Sequence, residues 1–335
     1  MNTRLRGVIY GAIGLVLGLL FSVLVSLILG SFTGLGALGF SKIFLSSLLS
    51  KDTWTSALPY FVPIAASASG LALAYRAGFI TIGAEGQVML GAVAAYWLLY
   101  YVIGHGSVAA VTAAILFAGL VGALYGGLVG GLRVGLGVNE ILSSLMLNYI
   151  AIGIVNYLVA GPWQQGGYTR TAPLPPSMSI GLSAAVLIVV IAGLLLELFI
   201  VFTKYGVAID SVRLARKAAQ TYGIGIASTI LIVALIQGFV AGIGGGALLL
   251  QLLRQLRSVG LGGWGYGYMG ILAAWLGGLR PLGALAASLL IAILYSMRST
   301  LQLYGVSDSF VLALEAIIVL SVLAFTTLSM RRGER

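Results

Sequence analysis

Long uncharged runs separated by short charged or glycine-rich stretches dominate the chain. A membrane-spanning helix needs about 20 mainly apolar residues, and ten runs approach or exceed that length. The pattern predicts an all-α polytopic membrane protein with about ten transmembrane helices in a single domain over residues 1–335. The predicted spans are 7–30, 56–75, 87–104, 107–131, 139–160, 180–203, 225–250, 265–279, 282–298 and 309–329.

Two stretches interrupt this series. Residues 33–54 are amphipathic and carry Lys42, Lys51 and Asp52, a pattern that favours an interfacial helix over a span. Residues 161–179 contain four of the seven prolines, which predicts an extended loop outside the membrane. The first uncharged run is too long for the apolar core of a cleavable signal peptide, so we expect a retained first helix.

Composition and charge agree with a membrane protein. Hydrophobic residues make up 60% of the chain and charged residues 8%, against about 45–50% and about 25% in soluble domains. The net charge of +10 comes from basic residues in short loops, which set topology and do not form a nucleic-acid patch. Placing both termini in the cytoplasm puts twelve of the 18 basic residues inside, as the positive-inside rule favours.

The residues available for chemistry are few. The chain has no cysteine and a single histidine, His105, so thiolate metal sites are excluded and we expect no metal and no cofactor. No GxxxxGK[ST] motif occurs, so the chain cannot hydrolyse ATP through a P-loop. No catalytic cluster of a membrane enzyme is recognisable either.

Glycines recur at four-residue steps in two predicted spans. Small residues at this spacing let helices approach closely in lipid, so the pattern predicts tight packing without a direct functional role. The two sets are Gly122, Gly126 and Gly130, and Gly238, Gly242 and Gly246.

Acidic residues within or near the spans are functional candidates because burying charge in lipid is costly. Asn139 and Glu140 fit the N-cap and first turn of a helix, which favours a structural role. Glu197 is expected at the interface, and Glu315 is expected to pair with a neighbouring helix. Glu85 differs from these three acidic residues because glycines flank it in the sequence.

Residues Gly78–Gln87 are rich in glycine, which interrupts helix geometry. Their polar side chains can hydrogen-bond to backbone groups that are left without a helical partner. Irregular backbone near the membrane is tolerated where it is buried or lines a cavity. The segment is therefore either a plain cytoplasmic turn or a structured element coupled to function.

The fifth span carries a polar stripe that either bonds to neighbouring helices or lines a route for an uncharged solute. Aromatic side chains elsewhere offer stacking surfaces for a base or a sugar. The candidate pathway residues are Phe79, Glu85, Gln87, Ser144, Asn148, Tyr149, Asn156 and Trp264.

Residues 204–224 form the longest internal cytoplasmic loop in this topology. A short helix of small and basic residues that ends at a glycine suits docking into a groove of a soluble partner. The alternative is a charged loop that only fixes topology.

Three stretches resemble the membrane permease subunit of an ABC importer, in the branch that handles nucleosides and simple sugars. Tyr75–Gln87 is similar to the family pattern F-R-A-G-x-F-N-I-G-A-E-G-Q, and Gly137–Ile150 resembles G-V-N-E-V-I-S-T-I-M-L-N-Y-I. Gly267–Gly277 with Pro281–Gly283 is a weaker match to the family's glycine-rich motif. Together with the span order, the resemblance covers nearly the whole chain.

This resemblance implies a fold of two related halves, a second permease subunit with a heterodimer favoured, separate ABC ATPase subunits, and an external lipoprotein that delivers the substrate. It also implies that 204–224 contains the segment that couples to the ATPase. The residues carried over to that role are Arg213, Arg216, Lys217, Ala218, Ala219 and Gly223.

Several functions remain open on the sequence. Import of a nucleoside through the cell membrane is the main expectation, and a permease for ribose or galactose is the nearest alternative. An ion-coupled secondary transporter would need an ion site in broken helices near the midplane, and Gly78–Gly86 is the only broken-helix candidate.

Overall fold

The structure, a computed structural model, describes residues 36–214 and 216–307 together with isolated positions between 28 and 324. The chain divides into two compact units, residues 58–291 and the two ends of the chain, 1–57 with 292–335. The helices are α1 (Gly36–Leu49), α2 (Lys51–Arg76), α3 (Ala84–Trp97), α4 (Val108–Leu136), α5 (Glu140–Ala160), α6 (Leu182–Phe202), α7 (Lys204–Leu214), α8 (Arg216–Thr221), α9 (Ile226–Leu248), α10 (Tyr266–Leu276) and α11 (Pro281–Leu303).

Regular structure in the described residues is helical, apart from two isolated β-bridges. Within the part of the chain that the structure describes, seven helical stretches are long and apolar enough to cross a membrane, and they confirm the prediction of a multi-pass all-α protein. They are Lys51–Arg76, Ala84–Ile103, Val108–Leu136, Glu140–Ala160, Pro176–Phe202, Ile226–Leu253 and Pro281–Leu303. The predicted spans 7–30 and 309–329 lie outside the described residues except for isolated positions.

The predicted span 265–279 corresponds to α10, which has only 11 residues. At 1.5 Å per residue this helix is about 16 Å long, roughly half of the hydrocarbon thickness. The apolar run suggested a longer helix because glycines 277 and 278 end the helix without interrupting the hydropathy. A full crossing at this position is therefore not confirmed.

The predicted interfacial helix 33–54 is divided at Ser50 in the structure. Helix α1 ends at Leu49, and Lys51 and Asp52 form the first turn of α2. The Ser50 hydroxyl accepts the Asp52 N–H at 3.2 Å, and an acidic residue in a first turn suits the helix dipole. Two of the three charges that indicated an interfacial segment, Lys51 and Asp52, thus begin a long helix, and Lys42 lies in α1.

Helix α2 contains two prolines, Pro59 and Pro63. Pro63 has no N–H, so the carbonyl of Pro59 has no intrahelical donor. Gln251 supplies one, since its Nε2 donates to Pro59 O at 2.9 Å. A polar side chain of another helix thus satisfies a backbone group that lipid would leave unpaired.

Glycines join α3, α4 and α9 into the centre of unit 58–291. A Cβ on Gly122 of α4 would overlap the carbonyl oxygen of Gly238 of α9, and a Cβ on Gly242 would overlap that of Ala118. Gly91 of α3 lies equally close to Gly242. The four-residue glycine steps therefore mark backbone-to-backbone packing, as the sequence predicted.

The proline-rich loop lies at the end of the bundle opposite to α7. It pairs with the segment that follows α9, because Leu174 N–H donates to Arg254 O at 2.7 Å and Thr171 N–H donates to Leu256 O at 2.9 Å. The Tyr96 hydroxyl fixes the loop to α3 by donating to Ala172 O at 2.8 Å. The predicted extended loop is confirmed, with one 3₁₀ turn at Pro176–Met178.

This packing predicts that Gly122→Ala destabilises the protein, because the added methyl group meets the backbone of α9. Overpacking of this kind costs about 1–3 kcal/mol, and thermal unfolding in mild detergent would show a lower melting temperature. Gly131→Ala is the matched control on the same helix, since nothing lies within 4 Å of its Cβ position. Equal melting temperatures for the two variants would contradict the packing account.

Candidate functional site

Two irregular segments enter the helical bundle of unit 58–291. Residues 77–83 connect α2 to α3. Helix α9 continues as a π-helix over Leu249–Leu253, and residues 254–265 connect that turn to α10. The first segment reaches Ser144 and Asn148 of α5, which lie about 6 and 12 Å along the axis from the start of that helix. Helices α3 and α10 therefore begin inside the bundle, where their first N–H groups need protein acceptors.

Glu85 supplies the acceptor for α10. Its carboxylate is fully buried and accepts the backbone N–H groups of Trp264 at 2.5 Å, Gly265 at 2.8 Å and Gly267 at 2.8 Å. The carboxylate thus lies at the N-terminus of α10, where the helix dipole favours a negative charge. One side chain joins the two irregular segments.

Two glycines leave space for this carboxylate. Gly263 has a left-handed backbone with φ of +72°, and a Cβ there would contact Glu85 Oε1 at 2.5 Å. A Cβ on Gly267 would overlap the backbone nitrogen of Glu85. The glycine-rich run before α10 therefore wraps closely around the first turn of α3.

Asn148 performs the corresponding task for α3. Its Oδ1 accepts the Gly86 N–H at 2.9 Å, and its Nδ2 donates to Ile82 O at 3.0 Å. Ser144 Oγ accepts the Ile82 N–H at 3.0 Å. The Tyr125 hydroxyl donates to Asn148 Oδ1 at 2.8 Å, so α4 also supports the amide.

Gln87 is paired with Gln237 of α9 at the centre of the unit. Each Nε2 donates to the Oε1 of the other, at 3.0 and 2.6 Å. Both residues are fully buried. The two amides satisfy each other and connect α3 to α9 beside the glycine contacts.

The polar stripe of α5 and Gly78–Gln87 are thus brought together. Segment 77–83 is bonded to the core and partly buried: the Tyr75 hydroxyl donates to Thr81 O at 2.8 Å, and Phe79 is 1% exposed, whereas Ile80 is 40% exposed. The predicted role of these residues in a substrate pathway stays a prediction. In this structure the side chains of Glu85, Gln87, Ser144 and Asn148 bond to protein groups.

The other candidate pathway residues are more accessible. Tyr149 is 48% exposed on the outer face of α5, and Trp264 is partly exposed beside Glu85. Asn156 binds the 254–265 segment through both ends of its amide, donating to Val259 O at 2.9 Å and accepting its N–H at 2.8 Å.

The remaining acidic candidates differ in their surroundings. Asn139 caps α5 by accepting the Ile141 and Leu142 N–H groups, which confirms the predicted cap. Glu140 pairs with Arg133 at 3.2 Å, and Glu197 pairs with Arg280 at 3.1 Å. Glu315 lies outside the described residues, and the described part of the chain holds no cluster of three or more potential metal ligands.

The predicted coupling segment 204–224 forms two short helices, α7 and α8, and Gly223, two residues after α8, has a left-handed backbone with φ of +75°. Arg213 and Lys217 are exposed and Ala219 is buried. Arg216 and Ala218 belong to α8, and their side chains are not described. A role in coupling remains a prediction for all six residues.

Sequence reasoning missed three participants: Tyr125, Gln237 and the Asp210 partner of Arg76. Tyr125 and Gln237 are polar residues in long apolar helices, which is the available sequence signal for these two. Asp210 lies in the short polar helix α7 and carries no such signal. The partners of the three residues lie 23 to 150 residues away in the chain, so no local spacing identifies them.

The seven long apolar helices of the described residues define a multi-pass membrane protein. Residues 54–326 match the family described as the branched-chain amino acid transport system, permease component. The chain belongs to this family, and it is a permease subunit of the ABC importer type.

Three relatives match most of the chain. The glucose ABC transporter permease protein TsgB13 of Haloferax volcanii is 29% identical over 84% of this chain and 78% of its own length. The nucleoside ABC transporter permease protein NupB of Lactococcus lactis is 24% identical over 95% and 91%. The guanosine ABC transporter permease protein NupP of Bacillus subtilis is 26% identical over 87% and 85%. No solved structure matches the chain.

We expect Glu85→Gln to loosen the start of α10. The amide lacks the negative charge and has one acceptor oxygen, so at least one buried N–H loses its partner at a cost of about 1–3 kcal/mol. Hydrogen–deuterium exchange should speed up at the amides of residues 264–267. Asp52→Asn, which neutralises an exposed carboxylate, is the control, and unchanged exchange in Glu85→Gln would refute the assignment.

Proposed function

We propose that this permease subunit moves a nucleoside delivered by an external binding protein, using ATP hydrolysed by separate ABC ATPase subunits. The family match over residues 54–326 carries the proposal. Two of the three relatives are named for nucleoside or guanosine transport, which favours a nucleoside. The relative named for glucose supports a simple sugar as the alternative substrate.

The proposed mechanism is alternating access. ATP binding closes the ATPase dimer, the coupling segment 204–224 moves, and two paired permeases open a central path to each side in turn. In this proposal the pairing is heterodimeric, the fold comprises about ten spans in two related halves, and both termini lie in the cytoplasm of a cell-membrane protein. The twelve basic residues on that side support the orientation.

The pathway residues are proposed to divide into two roles. Glu85, Gln87, Ser144 and Asn148 have their polar atoms engaged within the bundle, so we assign them to holding the wall of the pathway. Tyr149 has an accessible ring on the outer face of α5, and we assign it to contact with the substrate across the permease pair. Phe79, Asn156 and Trp264 shape the two irregular segments.

The ion-coupled alternative is disfavoured by the surroundings of Glu85. An ion-coupled site built on broken helices presents oxygen ligands to a cation near the midplane. Here three N–H donors already surround the buried carboxylate. Donors in that arrangement attract anions and oppose a bound Na⁺.

Affinity purification of the tagged protein from its native membrane in mild detergent tests the function. We expect an ABC ATPase to co-purify, with hydrolysis stimulated by one nucleoside of a panel only when the external fraction is added. Stimulation by a sugar alone would select the sugar permease. Recovery without any ATPase, under conditions that preserve other ABC complexes, would contradict the proposal.

The role of Tyr149 gives a separate prediction. Replacing a stacking aromatic ring by alanine costs about 1–3 kcal/mol, by analogy with stacked bases. Tyr149→Ala should therefore raise the substrate concentration for half-maximal ATPase stimulation by about tenfold. Ile154→Ala, at an exposed position of the same helix, should leave it unchanged, and equal behaviour of the two variants would remove Tyr149 from the pathway.

A further inference from the structure

The coupling segment is attached to the core by an ion pair between α7 and the end of α2. Arg76 Nε donates to Asp210 Oδ1 at 2.6 Å, and Arg76 Nη2 donates to Oδ2 at 2.7 Å. Two parallel bonds of this kind fix orientation as well as distance. The side chains are 21% and 36% exposed, so the pair is only partly screened by solvent.

Helix α7 is also packed against the core by apolar contacts. Ile209 is 1% exposed and Val212 is 6% exposed. The stem of Arg213 lies over Gly78, with its Cγ 3.8 Å from the position of a Cβ on that glycine. Helix α7 is therefore held against the core by apolar packing as well as by the ion pair.

A second ion pair ties the preceding helix, α6, to the loop between α10 and α11. Glu197 pairs with Arg280 at 3.1 Å and accepts the Leu282 N–H at 3.4 Å. The Arg280 side chain is 61% exposed, so this pair is weaker than the first.

The two loops held by these ion pairs have the same backbone design. After α2, Ala77 N–H donates to Leu73 O and Phe79 N–H to Ala74 O. After α10, the N–H groups of residues 277 and 279 donate to the carbonyls of residues 273 and 274. The last aromatic rings of the two helices, Tyr75 and Trp275, are in contact, with centroids 5.6 Å apart.

A continuous set of contacts leads from Asp210 to the interior. Arg76 is followed directly by segment 77–83, whose backbone is bound by Ser144 and Asn148. That segment leads into Glu85, which holds the N-terminus of α10. The α2–α3 loop is thus attached to α7 at one end and to α10 at the other.

We propose that Arg76 and Asp210 are positioning residues that transmit movement of the coupling segment to the α2–α3 loop and, through Glu85, to α10. This inference rests on the proposed function, because it assumes that an ATPase moves α7. In this proposal the Glu197–Arg280 pair keeps the loop between α10 and α11 attached to α6, so that this loop moves together with the α2–α3 loop. Without the Arg76–Asp210 pair, the ATPase still docks and hydrolyses ATP, and fewer substrate molecules cross per ATP.

The test compares the ratio of nucleoside transported to ATP hydrolysed, in proteoliposomes that contain the whole purified complex and its external binding protein. Asp210→Asn and Arg76→Gln should each lower this ratio by about fivefold, which is the low end of the coupling factors typical between two sites. The yield of the complex and its rate of ATP hydrolysis should stay close to those of the unmodified protein. Asp210→Glu, which keeps the charge, should retain most of the ratio. The double variant Arg76→Asp with Asp210→Arg, which exchanges the two charges, should regain at least half of the transport ratio lost in the single variants.

Arg170→Gln serves as the matched control, because it removes an exposed arginine at the opposite end of the bundle. The inference is overturned if both single variants keep the wild-type ratio. It is also overturned if complex yield, ATP hydrolysis and transport all fall together and neither Asp210→Glu nor the charge-exchanged double variant restores them. That result would mean that the ion pair only stabilises the fold. If the unmodified protein carries no ATPase, the proposed function itself fails and the transmission role fails with it.

Discussion

The structure depends on one constraint: helices α3 and α10 begin inside the helical bundle, where their first N–H groups need protein acceptors. Asn148 accepts an N–H in the first turn of α3, and Glu85 accepts three at the start of α10. Neither helix relies on its own N-cap side chain. A buried carboxylate is costly in lipid, and charge-assisted bonds to oriented N–H groups offset that cost.

The glycine contacts and the amide pair follow from the same constraint. Helix α3 must lie close to α9 for Gln87 and Gln237 to exchange hydrogen bonds, and Gly91 and Gly242 permit that approach. Close packing excludes water from the site, so each polar group needs a partner of its own. One buried side-chain atom in the described residues, Ser67 Oγ, has none.

The sequence predicts those features that depend on local pattern. Hydropathy identifies the long helices, four-residue glycine spacing predicts close packing, and Asn139 marks the start of α5 because capping acts within one turn. The partners of Glu85 lie about 180 residues away, at 264–267, and nothing in the local pattern identifies a contact of that kind. The length of α10 was overestimated because Gly277 and Gly278 end a helix without changing its hydropathy.

The central claim is that this chain is the membrane part of an ATP-driven importer. Uptake of labelled nucleoside by proteoliposomes tests it most directly, with the reconstituted complex, its external binding protein and ATP on the cytoplasmic side. Accumulation that requires ATP and stops when the ATPase subunits are omitted is the expected result. Uptake by this chain alone, driven by an ion gradient without ATP, would contradict the claim.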